Sequence, residues 1–361
     1  MRVLLIGPMP PPVNGVSFAN ATLTKKLEER AISVDIINTS ADTLSSKQGT
    51  SFSFSKALSF FHTYFKVFRI FSNDIIYTTP GQTFFGILKY APFYLLAWLL
   101  GKPYIIHLHG NYLGKEYNLL KGIKKKLFYF FISRASAGIA LSGSLVKNFA
   151  DLLPRERVYV VENFVTDDLL QPLTSKPSDK LRVIFLSNLM KEKGILDLLD
   201  ALSILKDKGI DFSATLAGAL EQGLEELIEE KFLTISENTT YLQTVSGPRK
   251  RQALQEANVF VLPTYYIMEG QPISLLEGLA TGNINVSTAH AGIPDVADTS
   301  NGYFVAPQAP HELAAVLEKI SRNIDSEVER FSLRNQQHAA SLFTEQRFVD
   351  RIIEIFKAVK K

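Results

Sequence analysis

Short apolar runs alternate with longer amphipathic stretches along almost the whole chain, and that alternation limits the fold more than any other feature of the sequence. In the first half the runs are RVLLIG, SVDIIN, DIIYTT, PYIIHLHG, AGIALS and RVYVVEN, separated by helical patterns such as the one from about Val16 to Arg30. Strand and helix repeated in this order predict a parallel, doubly wound sheet. A polar, proline-bearing stretch follows, DDLLQPLTSKPSDK (167–180), with the composition of an interdomain linker. The pattern then restarts with LRVIFLS, FSATLAG, TTYLQTV, VFVLP, INVST and GYFVAP. At 361 residues the chain can bury two cores. The expectation is two α/β domains facing a cleft, residues 1–170 and 171–342. The amphipathic tail 343–361, with Phe348, Ile352, Ile355 and Phe356 on one stripe, completes the first.

Composition removes several classes of chemistry. There is no cysteine, so disulfides, thiolate metal sites and thiol nucleophiles are out, and a reducing cytosol is compatible. A net charge of +3 is too mild to imply nucleic acid, but it suits phosphate-bearing ligands or an anionic membrane surface. The opening, MRVLLIGPMPPPVNG, lacks the long apolar region of a signal peptide and reads as a strand and a turn-rich loop. The uncharged run YAPFYLLAWLLG (90–101) is shorter than the roughly 20 residues of a spanning helix and reads as a buried one. Neither half carries GxGxxG or GxxxxGK[ST], which disfavours a dehydrogenase or a P-loop enzyme.

The segment MEGQPISLLEGLATG (268–282) carries the first chemical signal. Pro272 suits a first helical turn, and Ile273, Leu276, Leu279 and Ala280 recur at core spacing. Flanked by the strands NVFVLP and NINVST, the segment belongs to a βαβ unit, with Glu269 in the loop and Glu277 in the helix. Loops at the carboxyl ends of such strands line the ligand site, and free amides at a helix start attract phosphate. Acids beside an anion site need another task, and accepting hydrogen bonds from sugar hydroxyls is one. Two looser glycine turns follow the first strand of each half: PMPPPVNGVS, where Gly15 opens a helix, and SNLMKEKGI, where Lys193 and Gly194 do so. In IIHLHGNY, alternation turns His107 and His109 to the same face, open to a structural, metal-binding or active-site role. No further ligand stands at a telling spacing for a metal.

Taken together, these motifs resemble the retaining glycosyltransferases of family 4, which have the GT-B fold of two Rossmann-like domains. PTYYIMEGQPISLLEGLATG is similar to the family's E-x7-E segment, FLSNLMKEKGI to its donor-phosphate loop and GPMPPPVNGVS to its amino-terminal loop. The resemblance implies that Glu269 contacts the donor sugar, that the backbone of Gly270, Gln271, Pro272 and Ile273 approaches the donor, and that Glu277 binds the nucleotide ribose. It makes Lys193 the lysine that opposes the leaving diphosphate, Gly15 part of the donor-binding loop, and His109 a member of the active site. Asn188 stands where the family commonly has a phosphate-binding arginine, and it supplies a hydrogen-bond donor without the charge.

The implied activity is retaining transfer of a sugar from a nucleoside diphosphate sugar, linked to UDP or GDP, onto a glycan or lipid-linked acceptor in bacterial surface polysaccharide synthesis. No D-x-D triplet is present, so no metal and no cofactor beyond the donor are expected. Two alternatives remain: a GT-B sugar-nucleotide epimerase or hydrolase, and a non-catalytic sugar-nucleotide binding protein. In KGIKKKLFYFFISR, Ile123, Leu127, Phe130 and Phe131 form an expected buried stripe, which leaves Phe128 and Tyr129 outward beside the lysines. Such a face suits an anionic membrane, and the expected location is the cytoplasm, peripheral at the inner face of the plasma membrane.

Overall fold

The computed structural model describes residues 1–40, 63–171 and 175–360. Part of the 167–180 stretch therefore lies outside the described residues. The chain forms two units, residues 1–163 with 346–361, and residues 164–345.

Unit 1 is built on a parallel sheet of six strands: β1 (Arg2–Gly7), β2 (Ser33–Asn38), β3 (Ile75–Thr78), β4 (Tyr104–His107), β5 (Ala137–Ala140) and β6 (Val158–Val160), in the order β2-β1-β3-β4-β5-β6. Unit 2 repeats the plan with β7 (Leu181–Leu186), β8 (Phe212–Ala217), β9 (Thr239–Tyr241), β10 (Val259–Leu262), β11 (Ile284–Ser287) and β12 (Gly302–Phe304), in the order β12-β11-β10-β7-β8-β9. In unit 1 the first strand lies next to the edge strand β2 and in unit 2 it lies near the middle, and in each sheet the order reverses beside it, the arrangement that opens ligand sites at carboxyl strand ends. Strands β3, β5 and β10 show no alternation and are buried at every residue, as strands covered by helices on both faces are.

All twelve strands coincide with the runs read from sequence. The helices agree less well. The stretch after AGIALS makes only a 3-10 turn, Ser144–Phe149. Two long helices, Pro310–Arg322 and Ile324–Leu342, were not anticipated. Pro272 precedes the first turn of helix Ile273–Ala280 as its N-cap. The apolar helix Ala91–Leu99 is not wholly buried: Phe93, Tyr94 and Ala97 face the core, while Leu95, Trp98 and Leu99 are exposed. A helix apolar on every side has no polar face to fix its rotation, so the sequence cannot say which side meets the sheet.

Helix Gly122–Ser133 corrects a second expectation. Phe128, Phe131 and Ile132 are buried, an i, i+3, i+4 stripe, whereas Ile123 is exposed. The helix is turned about its axis relative to the expected stripe, and of the expected outward pair only Tyr129 faces solvent. The last helix, Glu345–Val359, buries Phe348, Ile352, Ile355 and Phe356 in unit 1, with Phe356 edge-on to Tyr77 at 5.8 Å.

Candidate active site

In unit 2 the sequence candidates gather at the carboxyl ends of β7 and β10. After β7 the chain makes a short 3-10 turn, Lys191–Lys193, and passes through Gly194 at φ 80° into helix Ile195–Asp207. A Cβ at Gly194 would lie 2.5 Å from the Pro263 carbonyl oxygen, so only glycine allows this turn to rest on the loop that follows β10. The contact is fastened by the Tyr265 amide donating to the Glu192 carbonyl at 2.8 Å. This approach sets Lys193 Nζ 2.6 Å from Glu269 Oε2. Thr264 Oγ1 donates to the same oxygen at 3.0 Å, and the lysine lies 5.1 Å from the Tyr266 ring centre.

The Glu269 loop is braced on its other side as well. His290 Nε2 bonds the Tyr266 carbonyl at 2.8 Å, and the Gly292 amide donates to the Gly270 carbonyl at 3.0 Å. Glu269, Gly270, Gln271 and Pro272 are buried, and Ile273 is half-buried. The loop is thus fixed before any ligand arrives, which spares a reaction the cost of reorganising it. Helix Ile273–Ala280 begins here with no acid in its first turn, and the amides of Ile273 and Ser274 have no intrahelical acceptor. Those amides and the positive end of the helix dipole suit an anion.

Glu277 lies one turn further along the same helix and is only 3% exposed, which removes any reading of it as a wet-face charge. Its Oε1 accepts from Lys250 Nζ at 2.5 Å. Burial pushes its carboxyl above the ordinary range, the Lys250 ammonium opposes that shift, and the charge of Asp168 adds to it. Neither Lys250 nor Asp168 was singled out from sequence. The one available signal is the basic run GPRKRQ, which forms the first part of helix Gly247–Glu256 and in the sequence is indistinguishable from a solvated face. Asn188 is exposed at the end of β7, and its carbonyl accepts from the Met190 amide at 2.8 Å. It adds no charge to the Lys193 turn.

In unit 1 two residues of interest meet at the carboxyl end of β4. The His107 and His109 rings lie 4.3 Å apart, centre to centre, as their shared face requires. His107 is held through Nδ1 by the Tyr77 hydroxyl at 2.5 Å. Nε2 of each ring is buried and, among the described residues, has no hydrogen-bond partner. Gly15 is exposed and opens helix Gly15–Glu29, which Asn14 caps by accepting from the amides of Val16 and Ser17 at 3.1 and 3.0 Å. The loop before it is tied down by Asn20 Nδ2, which donates to the Pro8 carbonyl at 2.9 Å and to Thr79 Oγ1 at 2.8 Å. Among the described residues no group of three or more His, Asp or Glu could hold a metal ion.

Burial holds both histidines neutral, His109 pushed down to about 4 and His107 well below its ordinary value, the latter also through His109. The unfolded chain binds these protons near pH 6.5 and the folded chain does not, so their effect on stability appears as pH falls from 6.5 toward 4. His109→Gln is expected to lose less stability than the parent over that window, by about 2 kcal/mol. Urea midpoints at pH 7.5 and 4.5 check this, and a parent-to-variant difference that is the same at both pH values contradicts it.

The family described as Glycosyl transferases group 1 matches residues 169–338, and that described as Glycosyltransferase Family 4 matches residues 13–169. Among curated proteins, the colanic acid biosynthesis glycosyltransferase WcaL of Salmonella typhimurium is 29% identical over 191 residues, 51% of this chain and 46% of that protein. The amylovoran biosynthesis glycosyltransferase AmsK of Erwinia amylovora is 31% identical over 150 residues, 39% of this chain and 36% of that protein. The chain thus spans less than half the length of these curated relatives. Among solved structures, a sucrose-phosphate synthase from Thermosynechococcus elongatus superposes with a TM-score of 0.78 at 16% identity, covering 99% of this chain and 98% of that one. HepE of Anabaena, solved in complex with UDP, gives 0.75 at 16% identity, covering 99% and 100%. With one family model over each half and the GT-B architecture throughout, the chain belongs to the group 1 and family 4 glycosyltransferases.

Proposed function

We propose that this protein moves a sugar from a nucleoside diphosphate sugar to a glycan or lipid-linked acceptor, with retention at the anomeric carbon and without a metal. The observation that carries the reading is the Lys193–Glu269 pair beside the amino end of a buried helix that holds Glu277. The diphosphate lies against the free amides of that helix and the Lys193 ammonium. Glu269 accepts from hydroxyls of the donor sugar, and Glu277 from the ribose. The acceptor hydroxyl attacks the anomeric carbon from the side on which the diphosphate departs. As the new C–O bond forms and the bond to the phosphate oxygen breaks, the hydroxyl proton passes to the departing phosphate. Negative charge grows on that oxygen in the transition state, and Lys193 and the helix amides stabilise it there. Glu269 orients the sugar and is not a nucleophile in this route, unlike the paired carboxylates of retaining glycosidases. His109, neutral and with Nε2 unoccupied, suits contact with sugar or acceptor hydroxyls.

UDP and GDP sugars supplied with and without polysaccharide or lipid-linked acceptors, read by nucleotide release and product stereochemistry, test this proposal. Acceptor-dependent release with retained configuration supports it. Release without acceptor points to a hydrolase, and binding without turnover to a non-catalytic protein.

A peripheral contact with an anionic inner-membrane face fits unit 1. Helix Gly122–Ser133 exposes Ile123 and Tyr129 beside Lys124 and Lys126, and Lys124 lies 5.9 Å from the Phe85 ring centre. Among the described residues no helix is long and apolar enough to cross a membrane. Each lysine near an anionic surface contributes about 1 kcal/mol, so Lys124→Glu with Lys126→Glu is expected to weaken sedimentation with anionic vesicles at least tenfold. Sedimentation indifferent to anionic lipid contradicts the contact.

A further inference from the structure

The partner of Glu277 is a lysine from a different helix, and its placement is more constrained than a surface ion pair requires. Lys250 is on helix Gly247–Glu256, and the side chains of Lys250 and Glu277 are 19% and 4% exposed. That helix is clamped at its carboxyl end. Lys176 Nζ donates to the carbonyls of Leu254 and Gln255 at 2.7 and 3.2 Å, and Asn283 Nδ2 donates to Leu254 at 3.0 Å. Asn283 also bonds Thr281 Oγ1 at 2.8 Å and the Gly278 carbonyl at 3.3 Å, so one side chain stitches the Lys250 helix to the end of the Glu277 helix. The Glu277 helix is seated without slack, since a Cβ on Gly278 would meet the Phe260 ring at 2.7 Å.

The carboxylate is therefore delivered with one oxygen engaged. Oε1 accepts from Lys250, while Oε2 accepts from no group among the described residues. A carboxylate in this state still has the lone pairs to receive two hydroxyl donors, and it is prevented from rotating. We infer that Lys250 is a positioning residue that fixes Glu277 through Oε1 and leaves Oε2 as the acceptor for a vicinal diol, so that it governs discrimination of ribose from deoxyribose in the nucleotide. This inference rests on the donor-binding reading above. The charged neighbours of Glu277 are Lys250 and Asp168. With the lysine removed, burial and Asp168 both favour the protonated acid, which would donate where the site needs an acceptor. Opposite charge buried together also depends on both partners for its stability.

The test uses full-length protein and equilibrium binding of UDP and GDP, each beside its 2′-deoxy counterpart, between pH 6.5 and 9, together with kcat and KM for the donor. The parent is expected to favour the ribonucleotide about tenfold. In Lys250→Met that preference is weakened, most at the acid end of the range, and recovers toward the alkaline end, with KM rising and kcat within a few-fold of the parent. Lys250→Arg keeps the preference at every pH. Should Lys250→Met not fold, Lys250→Gln, which keeps a donor without the charge, carries the same comparison. A folded Lys250→Met or Lys250→Gln protein with the parent's preference and pH profile overturns the inference and leaves the donor-binding reading standing. A parent protein that binds neither nucleotide overturns both.

Discussion

Lys193→Met is expected to lower kcat by roughly 10²–10³-fold with intact donor, because the ammonium opposes charge that grows only as the glycosidic bond breaks. The same substitution strips the counter-charge from Glu269, which is only 6% exposed, and it should destabilise unit 2 by about 3 kcal/mol. The two consequences are separable. Adding Glu269→Gln to Lys193→Met removes the orphaned charge, so the double variant should regain most of the lost stability and none of the lost turnover. Chemical denaturation alongside steady-state kinetics checks the pair of outcomes. A Lys193→Met enzyme that regains parental turnover once it is stabilised would assign the lysine a purely structural role.

Glu269→Ala carries the second large effect. Thr264 Oγ1 and Lys193 Nζ both donate to Oε2, so Oε1 is the oxygen left for a sugar hydroxyl. Alanine removes the acceptor and also frees Lys193, whose ammonium is then drawn toward the diphosphate. Donor affinity should change by no more than a few-fold, since a lost sugar contact and a freed cation oppose each other, while kcat falls about 10²-fold from misplacement of the anomeric carbon. Glu269→Gln keeps the shape and offers one carbonyl oxygen, so it should fall between parent and alanine. Single-turnover measurements with a defined donor separate binding from transfer, and unchanged turnover in the alanine variant removes Glu269 from the reaction.

Much of this arrangement is legible in the amino-acid sequence. The parallel sheets announce themselves because twelve short runs alternate with helical patterns and are bounded by turn residues, and those covered on both faces, such as β3, β5 and β10, are buried at every position. The loop position of Glu269 follows from its place between VFVLP and the next helical pattern. The facing of His107 and His109 follows from the two-residue period of an extended chain. What escaped was anything that depends on how far an element turns about its own axis. Ile123 and Phe128 exchanged roles because five consecutive apolar residues from Leu127 to Phe131 offer several stripes, and only contact with the sheet selects one. The exposure of Leu95, Trp98 and Leu99 escapes the sequence for the same reason. Lys250 escaped because it lies 27 residues from Glu277 in a run of like charges, and nothing local distinguishes a cation that will meet a buried acid from its solvated neighbours. The clamp formed by Lys176 and Asn283 is likewise a product of packing.

The absence of a phosphate-binding arginine acquires a physical context from the pairs. Lys193 with Glu269 and Lys250 with Glu277 form two neutral couples, so the described site holds little net positive charge for a diphosphate beyond the helix amides. Under the proposed function, donor affinity is expected to depend on backbone donors and on the fixed geometry of the loops after β7 and β10 more than on a surplus of cations.

Amide hydrogen exchange on the intact protein, with and without saturating UDP or GDP, tests the account most directly. Protection on nucleotide addition is expected in residues 188–195 and 269–277, the turn after β7 and the loop and helix start after β10. Exchange at those two segments that is unaltered by either nucleotide, or protection confined to residues 1–163, would contradict it.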